Sequence, residues 1–436
     1  MFQIRGCLAN CLVAGALASA ALLPVPAAEA ATEKVLHSFG SVSGDGDSPA
    51  ASLMDVKGVL YGTTQYGGDA TACPASSITP AGCGTVFSIN PTTGTETVLH
   101  KFKGGGDGAS PYAGVIGVNG TLYGTTLAGG GNITACPAGP AAPGGCGTVF
   151  SINPKTGAET VLHSFGSGTD GVDPFSGLID VNGTLYGTTF FGGGAALIGE
   201  GTVFSITLSG SETVVYGFKF NYSFKNADGN NPIAGLINVG GTLYGTTQDG
   251  GTGTHCGGSG CGTVFSIDPI TGAEEVLYSF NGGFQGGSGG GAPSAGLINV
   301  NGTLYGTTEN GGGTGCGACG GLGTVFSIKS SGAETVVYRF KGGGDGEYPV
   351  AGLINVRGTF YGTTNEGGGT GCGGSGCGTV FSINPTTGAE KVLYSFKGGS
   401  DGKYPLAGLI DVNGSLYGTT SGGGKYRWGT VFSITP

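Results

Sequence analysis

Charged residues make up only 10% of this 436-residue chain, against about 25% in an ordinary soluble protein. Its 17 Lys and Arg are scattered among 27 Asp and Glu, for a net charge of -10. Phosphate recognition needs clustered cations, so the lack of a basic stripe excludes nucleic acid as a partner. The chain holds one Trp, two Met and four His. So few histidines leave no Ser/His/Asp or Cys/His set to assemble. The Gly-rich runs have no helix behind them to form a phosphate loop. Apolar runs long enough to span a bilayer are missing as well, and nothing after residue 30 predicts a membrane segment.

One apolar run stands at the N-terminus, from Cys7 to Leu23, behind a single cation at Arg5. Pro24 and Pro26 break it, and Ala28-Glu29-Ala30 supplies a small-x-small cleavage pattern. The run falls short of the ~20 residues of a span. Leu8-Ala9-Asn10-Cys11 precedes the run, which is the wrong side for a lipoprotein site. Residues 1–30 therefore read as a secretory signal, and residues 31–436 as one exported domain, secreted or periplasmic, without a membrane span.

Glycine is abundant, at 99 residues. With 38% hydrophobic residues in regular short runs, the composition still excludes disorder. The phrase "GTLYGTT" at Gly120–Thr126 recurs with its core at Leu60, Leu122, Leu185, Leu243, Leu304, Phe360 and Leu416, spaced 62, 63, 58, 61, 56 and 56 residues. "GTVFSI" follows each copy, "AGLINV" or a variant precedes it, and a phrase like "TVLYSF" closes the unit. Four short β-type runs per ~60 residues suit a propeller blade better than a solenoid coil of ~20–45 residues. The ends are out of phase: the mature chain opens on the last run of a unit, Val35–Phe39, and closes on the third, Gly429–Ile434. In a ring the opening run completes the final sheet and leaves no bare edge. The expected fold is all-β: a seven-bladed β-propeller of four-stranded antiparallel blades, closed by the N-terminal strand. Its third and outermost strands, "TVFSI" and "TVLYSF", read as buried on both faces. In the second strand, Gly and Thr are expected close to adjacent backbone.

The stretch "GLINVNGTLYGTTENGGGTGCG…GTVFSI…GAETVVYRFKGGGDGEYPVAG" resembles the GloVer tandem-repeat family of exported bacterial proteins, over essentially the whole mature chain. The resemblance implies export and repetition but no particular activity. Family members often carry a C-terminal anchoring domain. Here the chain ends at Pro436, two residues after its last strand, which predicts a free rather than surface-anchored protein, and a monomer is expected.

With strands ordered from the centre outward, "NG" at Asn119, Asn182, Asn301 and Asn413 marks a tight primed hairpin between the first two. The loops between second and third strands, and those from the outermost strand into the next blade, open on the opposite face. They vary in length and chemistry, as a binding surface does. Ten cysteines form close pairs inside the former: Cys73/Cys83, Cys136/Cys146, Cys256/Cys261, Cys316/Cys319 and Cys372/Cys377. Export favours disulfides over zinc shared between loops or a redox-active "CGAC". Asp45, Asp107, Asp170, Asp228, Asp345 and Asp401 precede Gly in the inter-blade loops. One carboxylate per loop fits an Asx-type turn better than calcium. Asp55, Asp180, Asn238, Asn299, Asn355 and Asp411 recur before the first hairpin and fit hydrogen bonding within it.

A specific activity on a symmetric frame must come from residues that break the symmetry. His37, His100 and His163 stand where other blades have Tyr216, Tyr278, Tyr338 and Tyr394, and so read as packing residues. Asp249, Glu309 and Glu366 follow the second strands of blades four to six. They read as a solvated rim or, if convergent, as an acid–base set. Tyr426, Arg427 and Trp428 replace the cysteine loop in blade seven and resemble contact anchors. Phe190, Phe191, Leu197 and Ile198 in blade three, and Tyr222 and Phe224 in blade four, are further departures. The reading that follows is an exported module binding a glycan or protein, with no cofactor or metal. A polysaccharide hydrolase or lyase and a purely structural matrix protein are its alternatives.

Overall fold

A computed structural model describes residues 31–436 apart from 77–78, 132–135, 137–143, 167–168, 195–198, 220–226, 257, 283–288, 314–320 and 330. Each repeat unit folds as one four-stranded antiparallel sheet, and seven such sheets form the propeller, with almost no helix. Blade one runs outward in chain order through Met54–Val56, Val59–Thr64, Thr85–Ile89 and Glu96–Lys101. Blade seven takes its inner strands from Ile410–Val412, Ser415–Thr420 and Thr430–Thr435, and its outermost from Thr32–Ser38. That last pairing runs from Thr32 opposite Thr435 to Ser38 opposite Thr430, with one register shift between Val35 and His37. The ring closes as the phase of the repeats required.

Both central residues of the first hairpin have positive φ, as at Asn119 (52°) and Gly120 (81°), the conformation a two-residue primed turn demands. In six of the seven blades the inner strand caps the turn: the Gly58 N–H donates to Asp55 Oδ1 at 2.9 Å, and Asp180, Asn238, Asn299, Asn355 and Asp411 accept the same bond, while blade two has Gly117 there.

The heptapeptide works as a joint. The first Thr of its terminal pair reaches into the next blade: Thr63 Oγ1 donates to the Ala113 carbonyl at 2.9 Å, and Thr125, Thr188, Thr246, Thr307 and Thr363 repeat the bond. Thr419 completes the circle by donating to Ala51 at 3.1 Å, across the closure. The second Thr stays within its blade, as Thr64 Oγ1 lies 2.7 Å from Thr85 Oγ1 of the third strand. The glycine makes room for an aromatic ring rather than for backbone. A Cβ on Gly62 would stand 2.5 Å from the Phe87 ring and 2.9 Å from Leu53.

Those rings carry the core. Phe39, ending the closing strand, meets Phe87 of blade one edge to face at 5.1 Å, and Phe102–Phe150 through Phe396–Phe432 repeat the contact at every joint. Hydrophobic clusters accordingly straddle adjacent blades: Phe39, Leu53, Leu60, Phe87, Ile89 and Val431 form one. Each fully buried Phe contributes about 1.5–3 kcal/mol. The third strands are buried nearly throughout, but the outermost are only half-buried, contrary to the expectation for "TVLYSF". Nothing lies beyond them at the rim, so one face stays open.

Candidate functional site

At the axis, the inner strands approach so closely that six of the seven units carry Gly where blade one has Ser52; a Cβ on Gly114 would stand 2.7 Å from the Ser52 carbonyl. The channel around this constriction is a cavity of about 810 Å³, lined by these glycines and by residues on either side of them. Two sets of repeat positions border it. The residue after the inter-blade proline is Ala50, Tyr112, Phe175, Ile233, Ser294, Val350 or Leu406, and all seven line the cavity. The residue after the second strand is Gln65, Leu127, Phe190, Gln248, Glu309, Asn365 or Ser421, of which Phe190, Gln248 and Glu309 line it. Within an otherwise repeated phrase, these are the positions where nearly every blade differs.

The lining is lopsided. Tyr112, Phe175 and Phe190 form a continuous aromatic wall, with successive ring centroids 5.4 and 5.3 Å apart, and Phe191, outside the lining, packs behind Phe190 at 4.5 Å. From blades four and five come polar groups: Gln248 Nε2 donates to Ser294 Oγ at 3.4 Å, and Ser294 Oγ donates to Glu309 Oε2 at 3.2 Å. Burial raises the Glu309 carboxyl above its ordinary range, against the smaller opposing effect of the Ser294 bond. Burial also raises the Tyr112 phenol, helped by the Glu309 charge across the cavity.

The three carboxylates singled out by sequence do not share this site. Glu309 lines the cavity; Asp249 and Glu366 do not. They sit one residue further along, and alternation along an extended chain turns them to the other side. Asp249 instead accepts from Ser259 Oγ at 3.2 Å, and Glu366 pairs through its backbone with Glu347, whose charge adds to burial in raising it. Asp55 is the other carboxylate lining the cavity. It lies at the far hairpin end, about five residues or ~17 Å of strand below the mouth.

Tyr426, Arg427 and Trp428 also stand apart from the channel. Trp428 is 45% exposed and packs its indole over Gly40, just past the closing strand, while its carbonyl accepts from the Ser48 N–H at 2.9 Å. Tyr426 is 37% exposed, with Lys425 Nζ 5.2 Å from its ring centroid.

Four cysteine pairs are disulfides: Cys73–Cys83, Cys136–Cys146, Cys256–Cys261 and Cys372–Cys377. Cys316 and Cys319 lie outside the described residues, as do Leu197, Ile198, Tyr222 and Phe224. Buried Leu322 takes the place that Cys83, Cys146, Cys261 and Cys377 hold elsewhere, immediately before the third-strand Gly.

At the outer rim, the Asp-Gly aspartates turn their own loops, as Asp45 does by accepting from the Gly40 and Ser41 N–H groups at 2.8 and 2.9 Å. Sequence reasoning missed their second partner. The Tyr or His of the preceding outermost strand also meets the Asp, as in Tyr216 Oη to Asp228 Oδ2 at 2.8 Å and His163 Nε2 to Asp170 Oδ2 at 3.3 Å. The first Glu of the next outermost strand completes the group. Burial, then the nearby Asp charge, pushes Glu96, Glu159 and Glu212 up to about 7. The fixed spacing of "H/Y-x-F", "DG" and "ET" was the available signal.

Among described residues, no helix is long and apolar enough to cross a membrane. No curated protein is similar to the chain in sequence. Similar solved structures include an oligogalacturonate lyase from Vibrio parahaemolyticus (8% identity, 93% of this chain and 97% of that one, TM-score 0.47). Others are a putative 6-phosphogluconolactonase from Bacteroides fragilis (16%, 79% and 85%, 0.46) and an auxiliary nutrient binding protein from Bacteroides thetaiotaomicron (9%, 89% and 69%, 0.44). The model of the Gloeobacter/Verrucomicrobia repeat matches residues 25–136, 74–319, 134–375 and 255–436. The chain belongs to the Gloeobacter/Verrucomicrobia repeat family.

Proposed function

We propose that the protein is an exported binding module that takes a saccharide at the mouth of its central channel. The observation that carries this reading is the juxtaposition of the Tyr112–Phe175–Phe190 wall with the Gln248–Ser294–Glu309 chain. Sugars present apolar C–H faces and hydroxyl edges, which suit an aromatic plane and a row of amide, hydroxyl and carboxylate groups respectively. The disulfides accord with an oxidising compartment, and residues 1–30 with a signal that delivers the domain there.

Binding without turnover is favoured over hydrolysis or lysis. Glycosidic cleavage by paired carboxylates places them about 5–10 Å apart, and Glu309 has only distant Asp55 as a companion in the cavity. A glycan array followed by a product assay tests the reading. The expected result is binding to a defined glycan set that Phe175→Ala abolishes and Glu309→Gln weakens, with no product released. Release of cleaved product by the wild type, abolished in Glu309→Gln, would establish an enzyme instead.

A further inference from the structure

Six of the seven outer-rim joints share one plan of Tyr or His, loop Asp and Glu, and differ at the first of these. Four of the seven present a Tyr, and in three of these the hydroxyl donates to the loop Asp, as Tyr338 Oη does to Asp345 Oδ1 at 2.6 Å and Tyr394 Oη to Asp401 Oδ2 at 2.9 Å; the loop after Tyr278 has no Asp. Three consecutive joints, between blades seven and one, one and two, and two and three, present a His instead. An imidazole nitrogen offers a lone pair where the phenol offered a proton.

We propose that each His joint is a binding site for a divalent transition cation of the zinc type, held by His37, Asp45 and Glu96, by His100, Asp107 and Glu159, and by His163, Asp170 and Glu212. In every set one nitrogen and two carboxylate oxygens lie within 4.8 Å of one another. His Nε2 stands 3.6, 3.3 and 3.3 Å from the Asp in the three sets. His37 and Asp45 side chains are 13% and 1% exposed, so the first set is largely shielded from water.

Two further observations point to a ligand. Oε1 of the first Glu on the outermost strand is inaccessible to solvent and without a hydrogen-bond partner at all seven joints, but only beside Glu96, Glu159 and Glu212 does an imidazole stand next to it, and His37 Nε2 is itself inaccessible and without a hydrogen-bond partner. Buried polar atoms without partners are rare and need an explanation. A cation between them would satisfy both oxygen and nitrogen, and would let the Glu ionise where burial opposes it. The supporting shell is present too. Backbone N–H groups of Gly40 and Ser41 orient Asp45, Lys103 N–H orients Asp107 at 2.7 Å, and Gly166 and Gly171 N–H groups orient Asp170.

The donor set selects the class of ion. Imidazole with two carboxylates suits zinc and its first-row neighbours. Calcium wants 6–8 oxygens and magnesium a mostly aqueous octahedron, neither of which this set supplies. Each set spans two blades, and the first includes His37 on the closing strand. A bound cation would therefore clamp the ring at its closure and at the next two joints.

Titration of chelator-treated protein with Co²⁺, read by visible d–d absorption, and with Zn²⁺, read by calorimetry, tests the proposal. The variant carrying His37→Tyr, His100→Tyr and His163→Tyr adopts the residue of the other joints, so it keeps the fold, checked by its melting curve without metal. The expected result is three equivalents bound by the wild type, at least 100-fold weaker binding by the triple variant, and two equivalents after His37→Tyr alone. Zn²⁺ should raise the melting temperature of the wild type and not of the triple variant. Absence of binding below about 1 mM, or binding undiminished in the folded triple variant, would overturn the proposal.

Discussion

The joints between blades and the mouth of the channel are built from the same repeat, yet they treat repetition in opposite ways. At the joints the chemistry returns seven times: a Phe pair and a Thr-to-carbonyl bond. At the mouth, the position after the inter-blade proline carries Ala, Tyr, Phe, Ile, Ser, Val and Leu in turn. Strict repetition marks what every blade needs in order to stack. Release from repetition marks positions the frame does not constrain, and those are where a ligand can be chosen. The rim is intermediate, with Asp and Glu nearly constant and the His/Tyr position divided three to four.

Predictions that break the joints come first. Removing residues 32–38 strips blade seven of its outermost strand and exposes the edge of Thr430–Thr435. A blade depends on its neighbours, so the cooperative melting transition should be lost. A smaller but still severe effect is expected at one joint of the core. Phe204→Ala, which removes a fully buried ring packed on Phe165, should cost about 3–5 kcal/mol in denaturant unfolding.

The rim predicts a pH dependence. Glu33, Glu96, Glu159, Glu212, Glu274 and Glu390 are each pushed from 4.5 up to about 7, by burial first and then by a neighbouring Asp charge. A carboxyl raised on folding binds more protons in the native state, so its stabilising contribution is present below about pH 4.5 and is lost as pH rises towards 7. His163, raised by Asp170 against the larger opposing effect of burial, loses its contribution in the same direction. Asp45 and Asp107 are lowered, despite burial, by the adjacent His37 and His100 and by backbone N–H donors, and withdraw stability only at more acid pH. Melting temperature in chelator should therefore fall between pH 5 and 7.5. A rise over that interval would contradict the burial of these groups. Smallest is the loss of one Thr bond. Thr246→Val leaves the Ala295 carbonyl without its side-chain donor at 3.2 Å and should cost on the order of 1 kcal/mol.

Most of the frame was legible in the sequence because its signals are periodic. The count of blades, the closure by Val35–Phe39, the primed hairpins and four disulfides all follow from phrases that recur at fixed phase. The site was less legible for two reasons. Asp249, Glu309 and Glu366 look alike as letters near a strand end, but a shift of one residue sends Glu309 to the channel and the others away. Tyr112 and Phe175 were hidden by their neighbours, since a single variable letter after a proline in "PxAG" attracts less notice than a long divergent loop. The rim groups require three segments from two adjacent blades, a juxtaposition that only closing the ring produces.

The central claim, that a glycan is taken at the mouth and not elsewhere on the frame, can be tested by hydrogen exchange on the protein with and without a glycan that it binds. The account predicts new protection confined to the segments around Tyr112, Phe175, Phe190 and Glu309. Protection appearing instead around Tyr426–Trp428, with the mouth unchanged, would contradict it.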